Sequence, residues 1–143
     1  MNAAFGVLQL KYVGKAIQKR KEIDEVYRKG LSGIKGVHCL NDTGELVANY
    51  AYFPILISKE YSLDRDELYE KMKINGVHAR RYFYPLITEF PMYRSLPSSQ
   101  RGNLPQASLA SSKVLCLPIY PDLSFEKVAE ICHLIATFSN KNF

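Results

Sequence analysis

The segment 78–85, with the sequence HARRYFYP, concentrates side chains that could bind a ligand. Two guanidinium groups suit phosphate oxygens, and three aromatic rings offer stacking faces for sugars or bases. These side chains are Arg80, Arg81, Tyr82, Phe83 and Tyr84. In a strand, alternate residues share a face, which would place Arg80, Tyr82 and Tyr84 together. Arg81 and Phe83 would point the other way. The residues alone leave two interpretations open: a ligand-binding face, or a strand whose aromatic rings simply pack in a core.

The standard catalytic motifs are missing from the sequence, which has no Gly-rich phosphate loop, no HExxH and no GxSxG. Asp64, Asp66 and Glu67 lie close together, but helix capping explains them better than acid–base pairing. The three cysteines are odd in number and lack the spacing of a zinc site or a disulfide framework. The sequence therefore predicts no catalytic residue and no metal site.

Composition and charge point to one soluble domain. The chain has 143 residues, of which 47% are hydrophobic, and a formal net charge of +5. Acidic residues follow the densest basic cluster, at residues 19–21, which favours a solvated helix face over a nucleic-acid site. The sequence has no apolar run near the ~20 residues of a membrane span and no signal-peptide pattern. We therefore expect a cytoplasmic protein whose partners include neither nucleic acid nor membrane.

The N-terminal segment predicts one long helix over about residues 2–30. Its first turns are apolar on more than one face. One stripe at helical spacing is Phe5, Leu8, Tyr12 and Ala16, and a second is Leu10, Val13 and Ile17. A helix that is apolar over much of its circumference is usually buried on several sides. The sequence therefore indicates a partner surface, either another domain or another subunit.

The rest of the chain alternates short strands and helices. Strands are predicted at 37–40, 47–57, 77–84 and 115–119, with a turn at 41–44 and a long connection at 88–105. Asp64 and Glu67 predict a capping box for a helix that ends at Gly76, and two further helices are expected at 106–114 and after Ser124. Pro54 is expected to face an open edge or a bulge. This order predicts an α+β fold, with a small, mostly antiparallel sheet and helices on one side.

Five stretches of the chain, in the order in which they occur, resemble the C-terminal part of one protein family. They are AAFGVLQLKYV, NYAYFPILI, DELYEKMKINGVHARRYFYPLI, FPMYRSLP and VLCLPIYPDLS. The family is that of the DegT/DnrJ/EryC1/StrS nucleotide-sugar aminotransferases, and the resemblance runs from about Ala3 to Ile135. It implies the small domain of the aspartate-aminotransferase fold, or fold type I. Residues 1–30 would be the helix that joins the large cofactor domain to the small domain, residues 31–143 would be the small domain, and the large N-terminal catalytic domain would be absent.

The resemblance also implies a function. Members of the family transfer an amino group, typically from glutamate, to the keto group of a nucleotide-linked sugar, with pyridoxal 5'-phosphate as cofactor. This chemistry would belong to the biosynthesis of deoxy-amino sugars and surface polysaccharides. The lysine that binds the cofactor lies in the family's large domain, so this fragment alone is expected to be inactive and to bind no cofactor. The partners implied are a nucleoside-diphosphate sugar and, through the N-terminal helix, a second subunit of a homodimer or the missing large domain.

The family's motif His-Tyr-x-Pro-Leu-His matches residues 82–87, where it helps to form the sugar-nucleotide site. Tyr82 stands where His is common, Phe83 where Tyr is common, and Ile87 where the second His is common. These departures leave aromatic contacts in place of polar ones. Arg80 and Arg81 are expected to contact the diphosphate. An alternative from a different class is a non-catalytic binding or dimerisation module derived from the same family.

Overall fold

The computed structural model describes residues 2–40 and 48–139. Within these ranges the chain forms four α-helices and three strands. They are α1 (Asn2–Leu31), β1 (Val37–Cys39), β2 (Phe53–Ile57), α2 (Arg65–Ile74), α3 (Pro105–Lys113), β3 (Val114–Leu117) and α4 (Phe125–Ser139). The predicted turn at 41–44 and residue 47 lie outside the described residues. The α+β prediction is confirmed.

The sheet is antiparallel, with the strands in the order β1-β2-β3. Phe53, Ile55 and Ile57 of the central strand β2 are buried, as the alternation predicts. β1 pairs only with residues 55–57, so Pro54 lies opposite Cys116 of β3 with no β1 residue on its other side. The absence of an N–H at Pro54 is therefore tolerated in a central strand.

The core forms where the second half of α1 and α4 cover the sheet. Tyr27 of α1 is fully buried, stacks on Phe53 with ring centroids 4.7 Å apart, and donates a hydrogen bond to the Pro118 carbonyl at 2.9 Å. Val128 and Ile135 of α4 are also fully buried. Tyr27 thus ties α1 both to the central strand and to the chain that leaves β3.

Helix α2 begins and ends as its sequence predicts. The Asp64 carboxylate accepts from the Asp66 and Glu67 amides at 2.8 Å, and the Glu67 carboxylate accepts from the Asp64 amide at 2.9 Å. This reciprocal pair is the predicted capping box. Gly76, with φ of +77°, follows the C-cap in the left-handed region that favours glycine. Leu68 and Met72 are fully buried, which anchors α2 to the core.

Two parts of the structure expose apolar side chains. The first half of α1, residues 2–15, is exposed throughout. Between residues 81 and 113, a stretch that the structure describes throughout, no side chain is buried. The predicted long connection carries three 3₁₀ turns in this stretch, at Ile87–Glu89, Pro97–Ser99 and Arg101–Asn103. None of the described helices is both long and apolar enough to cross a membrane.

The structure corrects the predicted strands. β2 covers 53–57 rather than 47–57, β3 ends at Leu117 before Pro118, and 77–84 is not a strand. Only Arg80 pairs with β3, where its amide and carbonyl exchange hydrogen bonds with Cys116 at 2.9 and 2.8 Å. In this register residue 78 would lie opposite Pro118, which has no N–H to donate. Residue 82 would lie opposite Val114, whose carbonyl accepts from the Arg65 guanidinium at 3.3 Å instead.

Candidate functional site

A cavity of about 780 Å³ opens beside the end of β3. It lies between the 75–82 segment, the chain at 116–120 and the first turns of α4, with Tyr52 on its rim. Its polar and aromatic lining consists of Tyr52, Asn75, His78, Arg80, Tyr82, Tyr120, Lys127 and Glu130. Cationic, hydroxyl and aromatic groups therefore meet in one concave surface, which is the usual shape of a small-molecule site.

Arg80 faces this cavity from a fixed backbone. Its peptide is held to β3 by the two hydrogen bonds with Cys116, and its side chain is exposed. The guanidinium donates one hydrogen bond, at 3.1 Å, to the hydroxyl of Tyr82. That hydrogen bond raises the pKa of Arg80 above its usual value. Tyr82 in turn meets Tyr52 edge-on, with centroids 5.0 Å apart.

Arg81 lies outside the cavity and contacts α2 instead. Its guanidinium donates to the Asp66 carboxylate at 2.9 Å and lies over the rings of Tyr69 and Tyr84, at 4.5 and 5.0 Å from their centroids. The hydrogen bond to Asp66 raises the pKa of Arg81. Arg65, whose side chain is 3% exposed, lies 4.8 Å from the centroid of Tyr84 and 3.0 Å from the same Asp66 oxygen. Tyr84 thus contacts two guanidinium groups.

The structure divides the five predicted substrate-binding residues. Arg80 and Tyr82 line the cavity, whereas Arg81, Phe83 and Tyr84 do not. The prediction that Arg80, Tyr82 and Tyr84 share one face is wrong, because the segment is not a strand and Tyr84 pairs with Arg81. Phe83 is 73% exposed and meets Tyr82 edge-on at 4.9 Å.

Several lining residues had no signal in the sequence. Tyr52, Tyr120 and Glu130 come from separate elements, and only the tertiary fold brings them to one cavity. His78 was part of the segment that the sequence analysis singled out, and it does line the cavity. Within the described ranges, no group of three or more His, Cys, Asp or Glu side chains could hold a metal ion.

Among the described residues, the cavity lining offers no buried lysine for the covalent attachment of pyridoxal phosphate. Lys127 is the lysine in its lining, and it contacts the Glu130 carboxylate at 2.7 Å. That contact raises the pKa of Lys127. A lysine that holds pyridoxal phosphate is normally desolvated, whereas the Lys127 side chain is 66% exposed. We therefore assign no catalytic step to this cavity.

Comparison with solved structures defines the class of protein. The aminotransferase TlmJ from Streptoalloteichus hindustanus superposes with a TM-score of 0.82 at 25% identity, over 95% of this chain and 35% of that one. DesI, solved in the presence of its TDP-sugar product, superposes with a TM-score of 0.81 at 25% identity. The match covers 97% of this chain and 35% of the DesI chain. The fold is therefore that of part of an aminotransferase.

The sequence places the chain more narrowly. The family model for the DegT/DnrJ/EryC1/StrS aminotransferases matches residues 1–136, and the chain belongs to this family of pyridoxal-phosphate-dependent enzymes. An Escherichia coli dTDP-4-amino-4,6-dideoxy-D-glucose transaminase is 47% identical over 94% of this chain and 36% of its own length. A Vibrio cholerae GDP-perosamine synthase is 32% identical over 96% of this chain and 36% of its own length. The chain thus spans about a third of the length of the curated relatives it matches.

Proposed function

We propose that this chain forms the small domain of an aminotransferase that transfers an amino group from glutamate to a keto sugar linked to a nucleotide. Residues 1–30 would join it to the large domain, and residues 31–143 would be the small domain itself. The match of residues 1–136 to the family carries this proposal. The names of the relatives, a dTDP-amino-sugar transaminase and a GDP-perosamine synthase, support a nucleoside-diphosphate sugar as substrate. The product would serve deoxy-amino-sugar and surface-polysaccharide biosynthesis.

The contribution of this chain would be to bind substrate rather than to perform the chemistry. Segment 80–84 would contact the sugar nucleotide, since residues 82–87 match the family motif that helps to form that site and Arg80 and Arg81 directly precede it. The cavity beside Arg80 supports this role, because it combines a guanidinium with the rings of Tyr52 and Tyr82. The exposure of Lys127, the lysine of the cavity lining, supports the proposal that the 143-residue chain alone neither binds the cofactor covalently nor turns over substrate.

A transaminase assay tests whether this chain alone turns over substrate. The 143-residue chain is incubated with pyridoxal phosphate, 2-oxoglutarate and dTDP-4-amino-4,6-dideoxy-D-glucose, and glutamate is measured. The full-length E. coli relative is the positive control. The proposal predicts no glutamate above background from the chain alone. Sustained turnover by the chain alone would contradict the proposal that the catalytic lysine belongs to another domain.

The second candidate function is a dimerisation module, and the first half of α1 favours it. Phe5, Leu10 and Tyr12 are 64%, 69% and 58% exposed, which is unusual for apolar side chains that lie on one helix. Light scattering coupled to size-exclusion chromatography measures whether two copies associate. Association through α1 predicts a dimer that Leu10→Glu dissociates, while Lys11→Glu, a charge change at the neighbouring exposed position, leaves it intact. A strict monomer for the unmodified chain would contradict this candidate.

A further inference from the structure

We propose that Arg80, and not its neighbour Arg81, holds the diphosphate of the nucleotide, and that Arg81 is a positioning residue for Tyr84. This inference rests on the proposed function, since it takes the ligand to be a nucleoside diphosphate. The sequence predicts opposite strand faces for the two arginines but expects both of them to contact the diphosphate. The contacts of the folded chain distinguish them.

None of the described residues pairs with the charge of Arg80. Within residues 2–40 and 48–139, no carboxylate lies within 4.0 Å of its guanidinium. Glu130, the acidic residue of the cavity lining, contacts Lys127. One of the five guanidinium N–H donors binds the Tyr82 hydroxyl, which leaves four for a ligand. An exposed guanidinium on a fixed backbone can therefore offer paired donors to phosphate oxygens.

The charge of Arg81 is already paired. Asp66 accepts from its guanidinium, and two aromatic rings cover its faces. To bind a phosphate, Arg81 would have to give up its charge-assisted hydrogen bond to Asp66 and its two ring contacts. Arg81 instead helps to hold the ring of Tyr84, which lies against the guanidinium groups of both Arg81 and the buried Arg65. Arg81 thus holds the end of the segment that presents Arg80 and Tyr82 to the cavity.

The cavity lining matches the rest of a nucleotide. Tyr52 and Tyr82 form an edge-on pair next to the Arg80 guanidinium, and Tyr120 lines the same space. Aromatic faces accept a nucleobase by stacking, and this contact depends little on the identity of the base. A diphosphate at Arg80 would leave these rings within reach of the nucleoside.

Calorimetry on the 143-residue chain tests the assignment. The ligands are dTDP and GDP, each compared with its unphosphorylated nucleoside, so that the affinity ratio reports the phosphate contact alone. Arg80→Gln should weaken diphosphate binding about tenfold to a hundredfold and bring the ratio close to one. Arg94→Gln is the matched control, an exposed arginine outside the cavity lining, and it should leave the ratio unchanged.

The proposed role of Arg81 is tested by measuring the environment of Tyr84 as well as nucleotide binding. Arg81→Gln should retain the preference for the diphosphate but change the near-ultraviolet circular dichroism of the tyrosines, and this change should be absent in a Tyr84→Leu background. Arg81→Lys, which can still pair with Asp66, provides a second variant if the glutamine variant fails to fold. Loss of the diphosphate preference in either folded Arg81 variant, with Arg80→Gln unaffected, would overturn the inference and leave the proposed function standing. Failure of the unmodified chain to bind either nucleotide would overturn the nucleotide site of the proposed function, and the inference with it.

Discussion

Gly30 of α1 lies directly against Cys132 of α4, and replacing it tests the packing of the two helices. A Cβ at Gly30 would lie 2.7 Å from Sγ and 3.0 Å from Cβ of Cys132. Nonbonded carbon atoms attract at about 3.5–4.0 Å, so both contacts are strongly repulsive. Rotation of the Cys132 side chain could move Sγ but not Cβ. Gly30→Ala therefore requires α1 and α4 to shift by a few tenths of an ångström at this contact.

Two opposing contributions set the magnitude. Alanine is favoured over glycine in a helix by about 0.5–1 kcal/mol. Overpacking at a tight contact costs about 1–3 kcal/mol. We therefore expect Gly30→Ala to lower the free energy of unfolding by up to about 2.5 kcal/mol. Gly14→Ala is the matched control on the same helix, because a Cβ there meets nothing within 4 Å. It should raise the free energy of unfolding by up to about 1 kcal/mol.

Urea denaturation followed by circular dichroism measures both effects. A Cys132→Ala background removes the 2.7 Å contact and keeps the 3.0 Å contact, so the cost of Gly30→Ala should fall there without vanishing. The difference between the two backgrounds is the coupling energy of the contact. If Gly30→Ala stabilises the chain as much as Gly14→Ala does, α1 and α4 are not packed as described.

Four further predictions concern the core and the N-terminal cap of α2. Tyr27→Phe should cost about 1–2 kcal/mol in urea denaturation, since it leaves the Pro118 carbonyl without its donor. Asp64→Ala should cost about 1 kcal/mol by the same measurement, because it removes the capping box of α2. Burial raises the pKa of the Cys132 thiol from 9.0 to about 11, so its alkylation by iodoacetamide at pH 8 should be slow until urea unfolds the chain. The unfolded thiol ionises at lower pH than the folded one, so the free energy of unfolding should fall as pH rises from about 9 through about 11. Fast alkylation of native Cys132 would contradict its burial.

The parts of the fold that local sequence determines were predictable. The capping box requires only Asp64 and Glu67 three residues apart, and the long helix α1 follows from its periodicity. Strand pairing depends on a partner instead. Segment 77–84 has strand-like residues, but it pairs with β3 only at Arg80. Pro118 has no N–H to extend the pairing in one direction, and Arg65 already binds the Val114 carbonyl in the other. The sequence of the segment itself does not reveal that Pro118 and Arg65 will lie next to it.

The candidate site was predictable only in part, for the same reason. The sequence identified Arg80 and Tyr82 by residue type, and both line the cavity. It could not show which of the two arginines contacts the diphosphate, because the carboxylate that pairs with Arg81 is that of Asp66 in another element. Tyr52 and Tyr120 reach the cavity only through the arrangement of β2 and β3.

An amide chemical-shift map of the 143-residue chain, titrated with dTDP, measures directly whether the cavity beside Arg80 binds the nucleotide. A nucleotide site at the Arg80 cavity predicts that the largest shifts fall in 75–80 and 116–120, with Asp66 and Tyr69 little changed. Shifts centred on Asp66, Tyr69 and Tyr84, or no shifts at saturating dTDP, would contradict it.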